Sequence, residues 1–206
     1  MKTRKFLSVL LCGLTALCIT SCIGDDNNDE GLTFLPKEQA AQCFQLMKGN
    51  YTGYLFYSKD NTTNQQASAD SVAVSWSVIN DSTITVSNIP SNLIAGIINH
   101  TGMKEALAEA APQTLKCYYK FVSSSPMQFL AYPASMSYKL NYGGKEHKVD
   151  VAFYVNTPYS FGEYVQNTQR MNLQVIIGAI YEDGNSTSYL RESMPLVFSS
   201  REKKIF

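Results

Sequence analysis

From Val72 to Val86 the chain alternates in strict period. Val72, Val74, Trp76 and Val78 fall on one phase, Ala73, Ser75 and Ser77 on the other; after Asn80-Asp81, Ile84 and Val86 continue between Thr83 and Thr85. A period of two puts every second side chain on the same face of an extended strand, so this stretch cannot bury its apolar residues as a helix and must lay one face against a core. The polar pair at its centre turns the run back on itself as a β-hairpin.

The same grammar recurs downstream. Leu115, Cys117, Tyr119 and Phe121 alternate with polar or basic neighbours. Met136, Tyr138, Leu140 and Tyr142 lead into Gly143-Gly144, after which Val149, Val151, Phe153 and Val155 return. Met171, Leu173, Val175, Ile177, Ala179 and Tyr181 mark a long strand closing at Asp183-Gly184, and Met194 to Phe198 supply a last one. Thirteen tyrosines and a charged share of 17% suit half-buried strands better than solvated helices. Roughly eight strands in antiparallel hairpins predict a mostly-β fold, an antiparallel sandwich or flattened barrel.

Helical spacing appears in two places. Ala40, Ala41, Phe44 and Met47 recur at helical intervals after Pro36, which predicts one N-terminal helix ending at Gly49-Asn50, with a strand from Tyr51 to Ser58. Pro90 to His100 and Met103 to Ala111 read as a helical or irregular insertion, and Lys59 to Asp70 as a polar loop. The chain divides into a leader at 1–21, an acidic tether at 22–34 and a single β-rich domain at 35–206.

The leader has the three parts of a secretory signal: Lys2, Arg4 and Lys5, the apolar run Phe6 to Ile19, then small residues. Its end, Ile19-Thr20-Ser21-Cys22, resembles the lipobox of bacterial lipoproteins, with Ile19, Thr20 and Ser21 recognised by the peptidase and Cys22 carrying the lipid. Two or three acyl chains suffice for stable membrane attachment. Behind the cysteine, Asp25, Asp26, Asp29 and Glu30 are similar to the signal that sends such proteins to the outer face of the outer membrane; attachment facing the periplasm is the alternative. Without the leader, 14 basic residues face 17 acidic ones, a balance that lacks the basic footprint needed to grip nucleic acid.

The leader, Gly49-Asn50-Tyr51-Thr52-Gly53, Ser75-Trp76-Ser77 with Asp81-Ser82-Thr83, and Ala152-Phe153-Tyr154-Val155-Asn156 together resemble a family of small lipoproteins of gut anaerobes, the domain of unknown function number 4840. The resemblance implies a lipid-anchored, β-rich domain. It brings no catalytic residues, substrate or cofactor.

The residues themselves offer little reactive chemistry. His100 and His147 lie in different segments without ligand-spaced partners, so they are read as surface or loop histidines and no metal is expected. No nucleophile elbow, phosphate loop or paired cysteine motif is present. Among the carboxylates, Glu146, Asp150, Glu163, Glu182 and Asp183 are candidates to converge as a glycosidase-type pair. Tyr154, Tyr159, Phe161 and Tyr164, in a segment read as a loop, are candidates for an aromatic binding patch. Asp70-Ser71-Val72 and Asp81-Ser82-Thr83 resemble the acidic-hydroxyl motif for O-glycosylation in such anaerobes, which makes Ser71 and Ser82 candidate sites. The expectation is a non-catalytic module, without cofactor, that binds a glycan, a peptide or an envelope protein. A glycan- or peptide-acting hydrolase and a structural subunit of an envelope assembly are the alternatives.

Overall fold

The computed structural model describes residues 33–59, 68–155 and 159–205; the lipobox, Cys22 and the acidic cluster lie outside them. The described chain is mostly β, as its alternation predicts. Helix α1 (Lys37–Met47) leads into β1 (Gly49–Lys59), β2 (Ser68–Asn80) and β3 (Thr83–Ile89). The insertion follows as α2 (Ser91–Ala95) and α3 (Thr101–Glu109). Then come β4 (Gln113–Ser124), β5 (Met127–Pro133), β6 (Met136–Tyr142), β7 (Lys145–Phe153), β8 (Phe161–Val165), β9 (Arg170–Glu182), β10 (Asn185–Ser186) and β11 (Met194–Lys204).

All pairings are antiparallel, and β1, β2, β3, β4, β5, β8, β9 and β11 follow one another around a closed ring of eight. Closure decides between the two expected architectures in favour of a barrel, which leaves no free edge on those strands. The remaining hairpin, β6–β7, extends from β9. One edge of β9 pairs first with β8 through residues 170–174 and then with β7 from Ile177 to Glu182; the opposite edge takes β11 and then β10.

Ladder irregularities supply the curvature that closure needs. Ile79 is the extra residue opposite β3 and is turned out to solvent, while Val78 keeps its place in the core. The inward phase of each strand fills the lumen: Tyr51 and Leu55, Val74, Trp76 and Val78, Leu115 to Phe121 on odd positions, and Met171 to Ile177 likewise. Trp76 stacks on Tyr51 at 5.8 Å and meets Phe198 edge-on at 6.3 Å.

The helices close the two ends. Leu35, just before α1, donates its N–H to Phe121 near the C-terminal end of β4, and α1 buries Cys43 and Met47 there. The insertion joins Ile89 to Gln113 at the other end of β4 and adds Leu93, Ile94, Ile98, Met103 and Leu107 to the core. Cys43 and Cys117 are both free and buried, and burial pushes the Cys117 thiol up to about 12, so neither is set up as a nucleophile.

Besides the two-residue β10, two strands were not anticipated. β5 buries Phe129, Leu130 and Ala131 in succession, so no alternation marks it. β8 lies within the segment read as a loop, and its five residues include Gly162.

Where β1 bends against β11, a side chain at Gly53 has no room: a Cβ there would sit 2.2 Å from the Ser199 carbonyl oxygen. Gly53→Ala is therefore expected to cost at least about 2 kcal/mol in urea unfolding, whereas Thr52→Ala, one residue away and exposed, should stay within about 0.5 kcal/mol of wild type. Equal midpoints for the two variants would contradict this close approach.

Candidate functional site

The insertion end of the barrel carries a linked group of titratable and aromatic side chains. Two tight turns bring it together. Gly143 and Gly144 connect β6 to β7 with φ of +59° and +83°, and Asp183 and Gly184 connect β9 to β10 with +50° and +81°. Positive φ at both central residues is the hairpin geometry that Gly and Asp tolerate. Register then sets β7 beside the end of β9, with Val149 opposite Glu182.

His147 stands on the same phase of β7 as Val149, Val151 and Phe153, so its ring turns inward, and only 7% of the residue is exposed. This corrects its reading as a surface or loop histidine. Its Nδ1 lies 3.0 Å from Asp183 Oδ2 and 3.1 Å from Glu182 Oε1. A carboxylate offers only acceptors, so Nδ1 carries the proton and donates. Asp183 is locked in turn by β7: its Oδ1 accepts the Lys148 N–H at 2.9 Å, and its own N–H donates to the Lys148 carbonyl at 2.8 Å. Glu182 Oε1 also accepts from the Tyr142 hydroxyl at 2.5 Å. Burial, followed by that bond to Glu182, raises the Tyr142 hydroxyl above its ordinary range.

Four rings continue the cluster as a column. His147 stacks on Tyr142 at 4.2 Å, Tyr142 meets His100 at 5.5 Å, and His100 stacks on Tyr189 at 4.5 Å. His100 also caps α3, accepting the Met103 N–H on Nδ1 at 3.2 Å. Beside the column lies an open cleft of about 360 Å³ lined by Lys145, His147, Glu182, Asp183, Tyr189 and residues 185–188. Among the described residues, no group of three or more His, Cys, Asp or Glu is placed to hold a metal ion.

Of the five candidate carboxylates, only Glu182 and Asp183 converge. Glu146 faces Lys139 at 3.8 Å, Asp150 accepts from Lys148 at 2.9 Å, and Glu163 accepts from Asn172 at 2.8 Å. The four aromatics are divided by the pairing of β8 with β5 and β9, which sends alternate side chains to opposite faces. Tyr164 turns into the core, where its hydroxyl accepts from the Lys203 ammonium at 3.0 Å. Phe161 points outward yet is buried with Leu130, with Val122 and Tyr132 packed against the pair. Tyr154 and Tyr159 remain exposed, Tyr154 with its ring over Gly178 and its hydroxyl 3.2 Å from Ser193 Oγ. The expected four-ring patch is thus reduced to two. Ser71 and Ser82 are both exposed, Ser82 on the β2–β3 turn.

One signal for the missed histidine was available, since His147 falls on the apolar phase of its strand. His100 and Tyr189 carry no comparable mark, because only the folded chain brings them to Tyr142.

The Lys148 N–H bonded to its carboxylate, with His147 and Lys145 beside it, holds the Asp183 carboxyl below the ordinary carboxylate range. A depressed folded-state value gives stability that is present above the unfolded value and lost as pH falls through the folded one. Wild type should therefore lose melting temperature more steeply than Asp183→Asn between about pH 4 and pH 2, Asn being able to keep the positive φ. Parallel curves for the two proteins would remove this linkage.

A search among curated proteins matches none. Among solved structures, the crystal structure of the YwiB protein from Bacillus subtilis is similar at 10% identity and a TM-score of 0.31, covering 76% of this chain and 94% of that one. The model of a family described as a domain of unknown function (DUF4840) matches residues 46–182, from the end of α1 to the last residue of β9, and the chain belongs to that family.

Proposed function

We propose that the protein is a lipid-anchored lipoprotein of the outer membrane, displayed on the cell surface, and that its barrel is a non-catalytic binding module. The observation that carries the anchor is Ile19-Thr20-Ser21-Cys22 at the end of a cationic and then apolar leader. The acidic residues just behind Cys22 support the outward face over the periplasmic one.

The cleft beside His147 supports binding over the hydrolase alternative. A glycosidase pair needs its carboxyl groups free to flank a scissile bond. Here Glu182 and Asp183 meet on a single imidazole nitrogen, and each also accepts a second hydrogen bond from the protein. Such an arrangement fixes side chains for recognition. The structural-subunit alternative has one observation in its favour: the outer edge of β6 has no strand partner among the described residues, and an unpaired edge can accept a strand from another chain.

The test of the anchor compares wild type with Cys22→Ala in intact cells, using palmitate-analogue labelling and protease shaving together. Wild type should be labelled and shaved, and the variant neither. A labelled but protected wild type would move the protein to the periplasmic face; an unlabelled one would end the lipoprotein reading.

A further inference from the structure

Away from the cleft, the barrel wall carries a second hydrophobic cluster, and this one faces outward. Alternation on β4 turns Leu115, Cys117, Tyr119 and Phe121 into the lumen and leaves Lys116, Tyr118 and Lys120 exposed on the outer face. Register places Tyr132 of β5 opposite Tyr118, and Leu130 opposite Lys120. Leu130 is buried there with Phe161, while Val122 and Tyr132 pack against the pair and stay partly exposed. Phe34, just ahead of α1, joins this wall. The Lys120 ammonium lies 5.1 Å from the centre of its ring, and the Leu35 N–H bonded to the Phe121 carbonyl holds the chain in place. The Lys116 ammonium lies 4.8 Å from the centre of the Tyr118 ring. Phe34 is 39% exposed and Tyr118 46%, so both rings are open to a partner.

The charge of this sector is one-sided. Lys116 and Lys120 are the only charged residues in β3, β4 and β5, although acidic residues outnumber basic ones behind the leader. Asp81, on the β2–β3 turn beside β4, marks the border, and Lys37 and Glu38 offset one another at the start of α1. Aromatic rings flanked by lysines, whose long stems carry the charge past them, are the side chains that settle at a membrane–water interface.

Position says which surface covers the wall. Phe34 stands 12 residues after Cys22, so chain length alone keeps it within about 40 Å of a lipid on that cysteine. Attachment makes contact with the same membrane intramolecular, and a weak patch then suffices. Each lysine near an anionic surface strengthens binding about fivefold.

From these observations we infer that the outer wall formed by Phe34, Lys116, Tyr118 and Lys120 docks on the anionic surface of the membrane that holds the lipid, laying the barrel on its β4 side. The inference rests on the lipoprotein reading and adds to it a second, non-covalent contact.

The test uses the full lipidated chain on vesicles of phosphatidylcholine alone and of phosphatidylcholine mixed equally with phosphatidylglycerol. Mass spectrometry first reads the lipid on Cys22, and hydroxyl-radical footprinting then reads the rings. Phe34 and Tyr118 should be oxidised at least about fivefold more slowly on the mixed vesicles than on phosphatidylcholine, and high salt should remove the difference. Tyr181, exposed on β9, should keep one rate throughout. The double variant Lys116→Glu/Lys120→Glu should lose the protection on mixed vesicles, its unchanged Tyr181 rate reporting an intact fold. If wild type reacts equally on the two kinds of vesicle, or the double variant stays protected, the inference is overturned, while lipid found on Cys22 leaves the lipoprotein reading standing. Protection of the same rings in intact cells would then assign the wall to a protein partner. A chain without lipid ends the lipoprotein reading and this inference with it.

Discussion

The hydrogen-bond ladder between β9 and β11 is the constraint on which the architecture depends. Strands β1 to β5, β8 and β9 form a continuous antiparallel sheet, but such a sheet has two open edges until β11 pairs with β1 on one side and with β9 on the other. Closing the ring satisfies those backbone groups and turns one face of every strand into a lumen, which the inward side chains then fill. α1 and the α2–α3 insertion cover opposite ends of that lumen with their own apolar residues.

β9 links the barrel to the candidate site. Its N-terminal half belongs to the ring, between β8 and β11, and its C-terminal part leaves the ring to pair with β7 and β10. The β6–β7 hairpin therefore projects from the barrel beside the insertion. Where the β9–β10 turn meets it, Asp183 and Glu182 converge on His147, and the ring column runs across to His100 at the cap of α3 and Tyr189 beyond β10. The backbone bonds between Asp183 and Lys148 tie the turn to β7, so the polar cluster is held by regular pairing and by side-chain bonds alike.

The parts of this arrangement that were legible in the sequence are those with a local period. β2 and β3, β4, β6 and β7, and β9 show it because each buries one face and exposes the other, and the hairpin turns show it through Gly143-Gly144 and Asp183-Gly184. β5 and β8 escaped notice for an equally physical reason. The outward face of β5 is covered at Leu130 by Phe161 and Val122, so burial on both faces erases the alternation. The aromatic segment from Tyr154 to Tyr164 suggested one surface because its composition is uniform, whereas strand geometry assigns its rings to core, cover and solvent separately.

The sequence by itself determined that the domain is made of antiparallel strands with one helix before them and a helical insertion among them, since hydrophobic period and turn chemistry act over a few residues. Only the tertiary structure decided that the sheet closes into a barrel and that His147 meets Glu182 and Asp183. Closure depends on which edges pair across long stretches of chain, and the cluster depends on the register between β7 and β9. A one-residue slip in that register would turn His147 to the opposite face, away from both carboxylates, without changing a single residue in the chain.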